Sequence, residues 1–254
     1  MRLKGQIALI TGSSRGIGKG IAQLFAEEGA IVVVNGTSPE TVQRTVDEFL
    51  NLGLKVYGAV FDTTDHELVN REISKIEKEI GNISILVNNA GISPKKNGEK
   101  VMIRDMSYAE WIRVIDVNIN GAFNCTRRVI PGMIERRQGK IINIASAFVR
   151  RYSPLTASHY LTSKAALIGF THALCGELAH YGINCNALSP GRTWTEMVKE
   201  TPEEKNNEFH SHIPMGRFAE IGDIANAALF LASEEAAYVN GATLDVNGGF
   251  EFGK

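Results

Sequence analysis

Short apolar runs and longer amphipathic segments take turns along this chain from residue 6 to about residue 190, with short connections between them. The runs at 7–10, 31–34, 56–60, 85–87, 141–144 and 242–246 are too short for helices and are flanked by turn residues, the pattern of strands buried on both faces. Between them, apolar residues recur at helical spacing. Ile17, Ile21, Leu24 and Phe25 form one stripe; Val42, Val46, Phe49 and Leu50 a second; Val69, Ile73, Ile76 and Ile80 a third. Strands and helices that alternate over short connections call for parallel strands joined by right-handed crossover helices. The expected fold class is therefore α/β, one doubly wound sheet covered by helices on both faces.

The punctuation agrees with the periodicity. Gly29, Gly53, Gly81, Gly139 and Gly182 each fall where a helix would stop and need a left-handed residue. Ser38-Pro39 supplies an N-cap and a first-turn proline, and Ser107-x-x-Glu110 matches a capping box. The segment 107–137 reads as a long helix that Pro131-Gly132 should kink or end. No linker, repeat or composition shift divides the 254 residues, so residues 1–254 are expected to form one domain. The exception to the pattern is 193–213, polar and bracketed by Pro202 and Pro214, which reads as a lid over a site.

Charge and composition exclude several classes. Lys and Arg number 27 against 28 Asp and Glu, a net charge of -1, so the chain lacks the cationic excess of a nucleic-acid binder. Three cysteines, Cys125, Cys175 and Cys185, make no CxxC pair and no closed disulfide framework, which fits a reducing compartment. No apolar run approaches the roughly 18 residues of a membrane span, and the first residues show no signal-peptide pattern. A cytoplasmic protein without a membrane partner is expected. His210-x-His212 lacks a third ligand at a telling spacing, so no metal site is expected.

Directly after the first strand comes Thr11-Gly12-Ser13-Ser14-Arg15-Gly16-Ile17-Gly18, opening the first helix. A strand, a glycine-rich turn and a helix N-terminus make an anion site, because unpaired N–H groups and the positive end of the helix dipole converge there. The spacing departs from G-x-G-x-x-G, and by itself it serves a plain tight turn equally well. It does not stand alone. Asn88-Asn89-Ala90-Gly91 ends the fourth strand, Tyr160-x-x-x-Lys164 heads a later helix, and Pro190-Gly191 follows another strand. With these motifs in this order, the chain resembles the short-chain dehydrogenase/reductase family over essentially its whole length. The resemblance implies a single Rossmann-type domain with a mostly parallel, seven-stranded sheet.

By that resemblance Gly12, Ser14, Arg15, Gly16, Ile17 and Gly18 cradle the pyrophosphate of a nicotinamide dinucleotide, and Asp62 and Thr63 meet its adenine. Asn89, Ala90, Gly91, Pro190, Gly191, Thr193 and Thr195 line the rest of the cofactor site, as do Tyr160 and Lys164. For Asp62 and Thr63 a capped turn before the next helix is the structural alternative. A carboxylate at the end of the second strand would bond a ribose 2′-hydroxyl and repel a 2′-phosphate. Here that strand runs into Asn35-Gly36-Thr37-Ser38 with no acid before Glu40, while Arg15 and Thr37 suit a phosphate. NADP(H) is therefore favoured over NAD(H), unless Arg15 is only a solvated charge.

Tyr160 and Lys164 are four apart, on one face of a helix. A tyrosine is a poor base near neutrality, with an ordinary pKa of about 10. A nearby ammonium and a cationic nicotinamide both favour the phenolate, so Tyr160 can pass a proton to or from a substrate oxygen. Ser146 follows the fifth strand, 14 residues before Tyr160, where its hydroxyl can stabilise charge on that oxygen; a turn role is its alternative. Asn118 matches the family asparagine that helps water connect Lys164 to solvent, and Lys164 is implied to bond the nicotinamide ribose. The catalytic residues expected are thus Asn118, Ser146, Tyr160 and Lys164. They point to an oxidoreductase interconverting a carbonyl and a secondary alcohol by hydride transfer. The alternative is a non-catalytic dinucleotide-binding regulatory protein on the same fold.

Within the family the chain looks nearest to 3-oxoacyl carrier-protein reductases and to sugar or polyol dehydrogenases, which share the ending Gly241-Ala242-Thr243-Leu244-Asp245-Val246-Asn247-Gly248-Gly249. Arg136 and Arg137 could meet an acidic carrier protein, though Tyr181 stands where that branch is often basic. The stretch 93–105, with Lys95, Lys96 and Lys100, is long for its place and could reshape the pocket. Arg150, Arg151, His159 and Arg192 surround the expected pocket; they either favour an anionic or polyhydroxylated small-molecule substrate or are solvated loop residues. Resemblance also implies a homotetramer built on the helices at 107–137 and 160–181.

Overall fold

Successive residues of a strand face opposite sides of the sheet. In β1 (Ile7–Ile10), Ala8 and Ile10 join the apolar cluster on one face and Ile7 and Leu9 the cluster on the other, all of them buried. The same alternation runs through β2 (Ile31–Gly36), β4 (Ile85–Asn88) and β5 (Gly139–Ile144). With β3 (Val56–Val60), β6 (Ile183–Pro190) and β7 (Thr243–Val246) they form a seven-stranded sheet in the order β3-β2-β1-β4-β5-β6-β7, parallel throughout. The computed structural model describes residues 1–96, 98–150, 155–199 and 203–250; Arg151 and Pro202 lie outside them.

The helices cover both faces. On one side lie α1 (Gly16–Glu27), α2 (Pro39–Asn51) and, from late in the chain, α9 (Ile221–Ala232), which between them bury Ile21, Phe25, Val42, Val46, Phe49, Ala228 and Leu229. On the other lie α3 (His66–Ile80), α4 (Tyr108–Ile115), α5 (Gly121–Arg136) and α6 (Ser158–Leu178). Val69, Ile73, Ile76, Val129, Met133, Leu174 and Leu178 from three of these pack over Leu9, Val33 and Leu86. Each fully buried aliphatic or aromatic side chain contributes about 1.5–3 kcal/mol of transfer free energy, which holds these layers together. Two short helices, α7 (Glu196–Lys199) and α8 (Glu203–His210), lie in the 193–213 segment.

Several expectations change in three dimensions. Gly29, Gly53, Gly81 and Gly182 do take positive φ, but Gly139 opens β5 with no left-handed turn; Arg137, at φ 52, ends α5 instead. Gly139 is small for another reason, since a Cβ there would lie 2.5 Å from the Met133 sulfur. Leu50 is 54% exposed and leaves the second stripe. Ser38 caps α2 through the Thr41 N–H as expected. Ser107 caps α4 through the Glu110 N–H, but the box stays half formed because the Glu110 carboxylate turns to His159. Pro131 sits on an exposed face inside α5 without ending it; the irregularity is a π-helical turn at Asp116–Asn120 between α4 and α5. The 193–213 segment is not simply polar, because Val198, Phe209 and Ile213 are buried.

Beneath the carboxyl ends of β4 and β5 runs a buried polar chain that apolar periodicity could not announce. Asn88 donates to Thr126 Oγ1 at 2.9 Å and to Asn143 Oδ1 at 2.8 Å, and Asn143 donates to Thr171 Oγ1 at 2.9 Å. It ties two neighbouring strands to α5 and α6. Replacing Asn143 by Leu deprives both Asn88 and Thr171 of partners in a dry interior, so Asn143→Leu should lower stability by roughly 2–4 kcal/mol. Urea unfolding with an unchanged slope would show it; a loss under 1 kcal/mol would mean the chain contributes little.

Candidate active site

The order of strands reverses between β1 and β4, and in open α/β sheets ligands bind at the carboxyl ends beside such a reversal. Here the two ends are laced together. The Thr11 hydroxyl oxygen accepts the N–H groups of Asn89 and Ala90, both at 3.0 Å, and the Asn89 amide donates to the carbonyls of Thr11 and Gly12 at 2.9 and 3.1 Å. The contact is tight: a Cβ on Gly12 would fall 2.9 Å from Ala90 Cα, and one on Gly18 would fall 2.4 Å from the Asn89 amide nitrogen. Gly12 also needs its φ of +62. The Asn89 side-chain amide thus holds the very loop beside which Asn89 is expected to line the cofactor site.

Asn35 and Ser13 complete the loop, and sequence reasoning missed both. The Asn35 side chain accepts the Gly12 N–H at 3.1 Å and donates to the carbonyls of Ala59 and Phe61, while Ser13 bonds the Ile10 carbonyl and the Asn35 backbone. The available signal was a lone asparagine at the end of an otherwise apolar strand. Beyond Ser13 the loop opens. The N–H groups of Gly16, Ile17 and Gly18 have no intrahelical acceptor at a helix start, and Arg15, as N-cap, offers no side-chain cap. Nothing lies within 4 Å of a Cβ built on Gly16. Unpaired donors, a helix dipole and open space suit a pyrophosphate. Ser14 rests against Gly36 at the end of β2. Arg15 and Thr37 are exposed beside that strand end, and Arg15 has no ion pair among the described residues.

Asp62 is less free than expected. Its Oδ1 accepts from the Thr64 N–H and hydroxyl at 2.9 and 2.8 Å, and Arg113 approaches Oδ2 at 3.5 Å. Burial opposes ionisation there, but these contacts outweigh it and hold the carboxyl below its ordinary range. Asp62 therefore serves the turn before α3, which Asp65 caps, and Thr63 is buried against Gly121.

The four expected catalytic residues converge at the same end of the sheet. Asn118 occupies the π-helical turn, a distortion common at functional sites, and is 1% exposed. Its side chain accepts the Ile92 N–H at 2.8 Å and donates to the Ile92 carbonyl and to Ser163 Oγ at 3.0 and 2.9 Å. Lys164, 3% exposed, donates to the Ile144 carbonyl at 2.7 Å, and its Nζ lies 5.8 Å from the centre of the Tyr160 ring. A Cβ on Gly91 would lie 3.2 Å from Lys164 Nζ and 3.4 Å from Asn118 Oδ1, so the glycine lets the backbone pass close to both. Ser146 accepts the Phe148 N–H in the turn after β5, the turn role weighed for it, and it lies near enough to the Tyr160 phenol to influence its ionisation.

Burial pushes the Tyr160 phenol above its ordinary 10, with Ser146 pulling the other way. That differs from the lowered value expected beside a lysine. The reason is that burial strips water from the phenolate, and Lys164, buried beside it, is itself brought down to about 8 by the same loss of water.

Pro190 ends β6 and Gly191 donates to the Val246 carbonyl at 2.9 Å. Thr193 is buried, bonds the Gly191 carbonyl and bridges to Ala219; half-buried Thr195 precedes α7. Of the polar residues expected around a substrate, Arg150 is paired with Asp245 at 3.1 Å, and His159 is fully buried with its Nε2 3.0 Å from Glu110. Neither is a free group. Arg192 remains, half-buried on the Phe209 ring.

A buried lysine whose pKa falls from 10.5 to about 8 costs stability while both folded and unfolded chains hold the proton, below pH 8. The cost fades as pH rises from 8 to 10.5, where the unfolded chain alone stays charged. Two and a half pH units correspond to about 3 kcal/mol. Lys164→Met should therefore be more stable than the parent at pH 7, by up to about 3 kcal/mol less the lost hydrogen bond to Ile144, with the gap closing towards pH 10. Urea unfolding at pH 7, 9 and 10 measures this. A gap that ignores pH contradicts it.

Comparison with known proteins agrees with this geometry. A family model described as enoyl-(acyl carrier protein) reductase matches residues 12–251. The 3-oxoacyl-(acyl-carrier-protein) reductase FabG of Thermotoga maritima is 39% identical over 249 residues, covering 98% of this chain and 99% of the relative. A crystal structure of a 3-oxoacyl-(acyl-carrier protein) reductase from Brucella melitensis superposes with a TM-score of 0.96 at 40% identity, over 99% of this chain and 93% of that one. A gluconate 5-dehydrogenase from Burkholderia cenocepacia, solved with NADP and tartrate, gives 0.92 at 36% identity over 98% and 96%. On fold, motifs and relatives together, the chain belongs to the short-chain dehydrogenase/reductase family of NAD(P)-dependent oxidoreductases.

Proposed function

We propose that the chain is an NADP(H)-preferring reductase of a small carbonyl compound, reversible towards the secondary alcohol, with Tyr160 as the proton donor. The observation that carries this is the gathering of Ser146, Tyr160 and buried Lys164 at the carboxyl ends of the strands, with Ser146 near enough to pull the Tyr160 phenol down and Lys164 Nζ 5.8 Å from its ring centre. Two adjacent O–H groups offer two donors to one oxygen, which suits a polarised C=O rather than a C=C bond. When bound, the nicotinamide supplies the hydride to the carbonyl carbon from its C4. A phenol held above its ordinary pKa stays protonated at neutral pH, as a donor in reduction must be. Ser146 orients the substrate oxygen and stabilises the charge that gathers on it. Lys164 bonds the nicotinamide ribose, and Asn118 keeps the 91–92 backbone and Ser163 in place around it. Gly12, Ser14, Gly16, Ile17 and Gly18 hold the pyrophosphate on the free N–H groups of α1, and Arg15 with Thr37 receives the 2′-phosphate.

The relatives above are named for a 3-oxoacyl carrier-protein thioester and for gluconate, a sugar acid, and the substrate of this chain is placed among those classes. The 193–213 segment closes over it. No described helix is long and apolar enough to cross a membrane, and a cytoplasmic homotetramer follows as part of this reading. Exposed Phe123, packed on Phe170 across α5 and α6, and Tyr108 at 79% exposure supply apolar surface for assembly. A purely regulatory dinucleotide-binding protein would have no use for all four of Asn118, Ser146, Tyr160 and Lys164.

Tyr160→Phe should lower turnover about 10²- to 10⁴-fold and leave NADPH binding, read by nucleotide fluorescence, within about twofold. Parent-like reduction by that variant would rule out the mechanism. The parent should show a higher kcat/KM with NADPH than with NADH, and Arg15→Ala should erode the preference about tenfold by raising the NADPH KM. An unchanged ratio would mean that Arg15 is only a solvated charge.

A further inference from the structure

Arg192 is a half-buried cation with no counter-ion among the described residues. It follows Pro190-Gly191 at the carboxyl end of β6, and its backbone carbonyl accepts the Ala219 N–H at 2.9 Å. Its Nη2 donates to Asn206 Oδ1 at 2.6 Å, and buried Asn206 is itself held to the Val198 carbonyl at 3.2 Å. Its Nε is buried with no acceptor. No carboxylate pairs with Arg192 among the described residues, whereas Arg128 and Arg150, with side chains 24% and 27% exposed, face Glu77 and Asp245. The guanidinium carbon stands 5.8 Å from the centre of the Phe209 ring, and Phe209 packs on Phe148 at 5.3 Å and on Phe250 at 4.6 Å between ring centres. Phe148 is two residues beyond Ser146. An aromatic platform thus joins Arg192 to the Ser146 turn on the side that the lid helix α8 covers.

We propose that Arg192 receives a carboxylate of the substrate, so that the enzyme acts on a small oxo or hydroxy acid rather than on a neutral carbonyl compound or a thioester. This rests on the oxidoreductase reading of the Ser146–Tyr160 site and narrows its substrate class. A guanidinium presents its N–H groups in a planar fork that matches a carboxylate, and Arg192 is already oriented by Asn206 and by the ring beneath it. Burial without an acid lowers Arg192 to about 10, so a bound anion would be repaid by a site already stripped of water. A 3-oxoacyl thioester brings no anion next to its reacting carbonyl and would leave the cation and the buried Nε unmatched, a strong basis for discrimination.

The test uses the intact enzyme with two matched pairs: acetoacetate against methyl acetoacetate with NADPH, and D-gluconate against D-glucitol with NADP+. The parent should favour the acid of a pair in kcat/KM. Arg192→Gln should lose about 10- to 100-fold on the acid, mainly in KM, keep the neutral partner within about twofold, and recover part of the loss as Arg192→Lys. An equal loss on acid and neutral compound, or a parent that prefers the neutral one, overturns the proposal. Binding gives a second readout that needs no turnover. Trp194, two residues from Arg192 and stacked on Phe218, reports on this corner once Trp111 is replaced by Phe. Acetoacetate or D-gluconate should change its emission in the NADP+-saturated parent and not in Arg192→Gln; no response in the parent also overturns the proposal. If these fail while a neutral ketone is still reduced in a Tyr160-dependent way, only the carboxylate assignment falls. If Tyr160→Phe turns over that ketone normally, the oxidoreductase mechanism falls with it.

Discussion

Everything at the functional end of this molecule hangs on the lacing of β1 to β4, where Thr11 and Asn89 exchange hydrogen bonds across the reversal of strand order. Two strands that diverge at their carboxyl ends leave a crevice, and a crevice lined by loose backbone would be of little use. Here Thr11 and Asn89 satisfy the loose groups from within and Asn35 anchors the loop from β2. The N–H groups at the start of α1 are left facing the open space beside Gly16. The same lacing sets the position of Ala90 and Gly91, so the glycine backbone lies against Lys164 and Asn118. The glycine-rich turn and the Tyr160–Lys164 pair are thereby held in one frame.

Within that frame the chemistry runs against stability. Lys164 is an ammonium in a dry interior with one carbonyl to bond, and Tyr160 is a phenol that burial keeps protonated. Neither arrangement is what a protein selected only for folding would adopt. The cost is met by what surrounds them: the buried chain from Asn88 to Thr171 beneath, Asn118 in the π-helical turn beside, and the two apolar clusters on the faces of the sheet. The His159–Glu110 contact pins α6 to α4 one residue before Tyr160. The α8 side repeats the pattern on a smaller scale, where Phe148, Phe209 and Phe250 give Arg192 an apolar support and no acid pairs with it among the described residues.

Reading the chain in one dimension was most reliable where a residue's role is local. Strand runs such as 7–10 and 56–60, the Ser38 cap and the positive-φ glycines at 29, 53 and 182 depend on their own neighbours and on a period of two or 3.6. It was least reliable where a partner comes from far away. Glu110 looked like half of a capping box because its nearer partner is Ser107, yet His159, 49 residues on, takes the carboxylate. Asp62, expected to meet the adenine, also holds its own turn and is approached by Arg113, 51 residues on. Gly139 looked like a helix stop because its real neighbour, the Met133 sulfur, approaches only after α5 and β5 have packed.

By itself, then, the sequence determined the α/β alternation, the glycine-rich turn after β1 and the spacing of Ser146, Tyr160 and Lys164, because apolar periodicity and motif spacing are properties of neighbouring residues. Only the tertiary structure decided which polar groups are spent and which are left over. Asn89 and Arg150 proved engaged, Lys164 proved desolvated, and Arg192 proved half-buried on an aromatic ring with no acid paired to it among the described residues. The physical reason is that hydrogen-bond satisfaction and solvation are set by which side chains meet across the fold, and those meetings join residues tens to hundreds of positions apart.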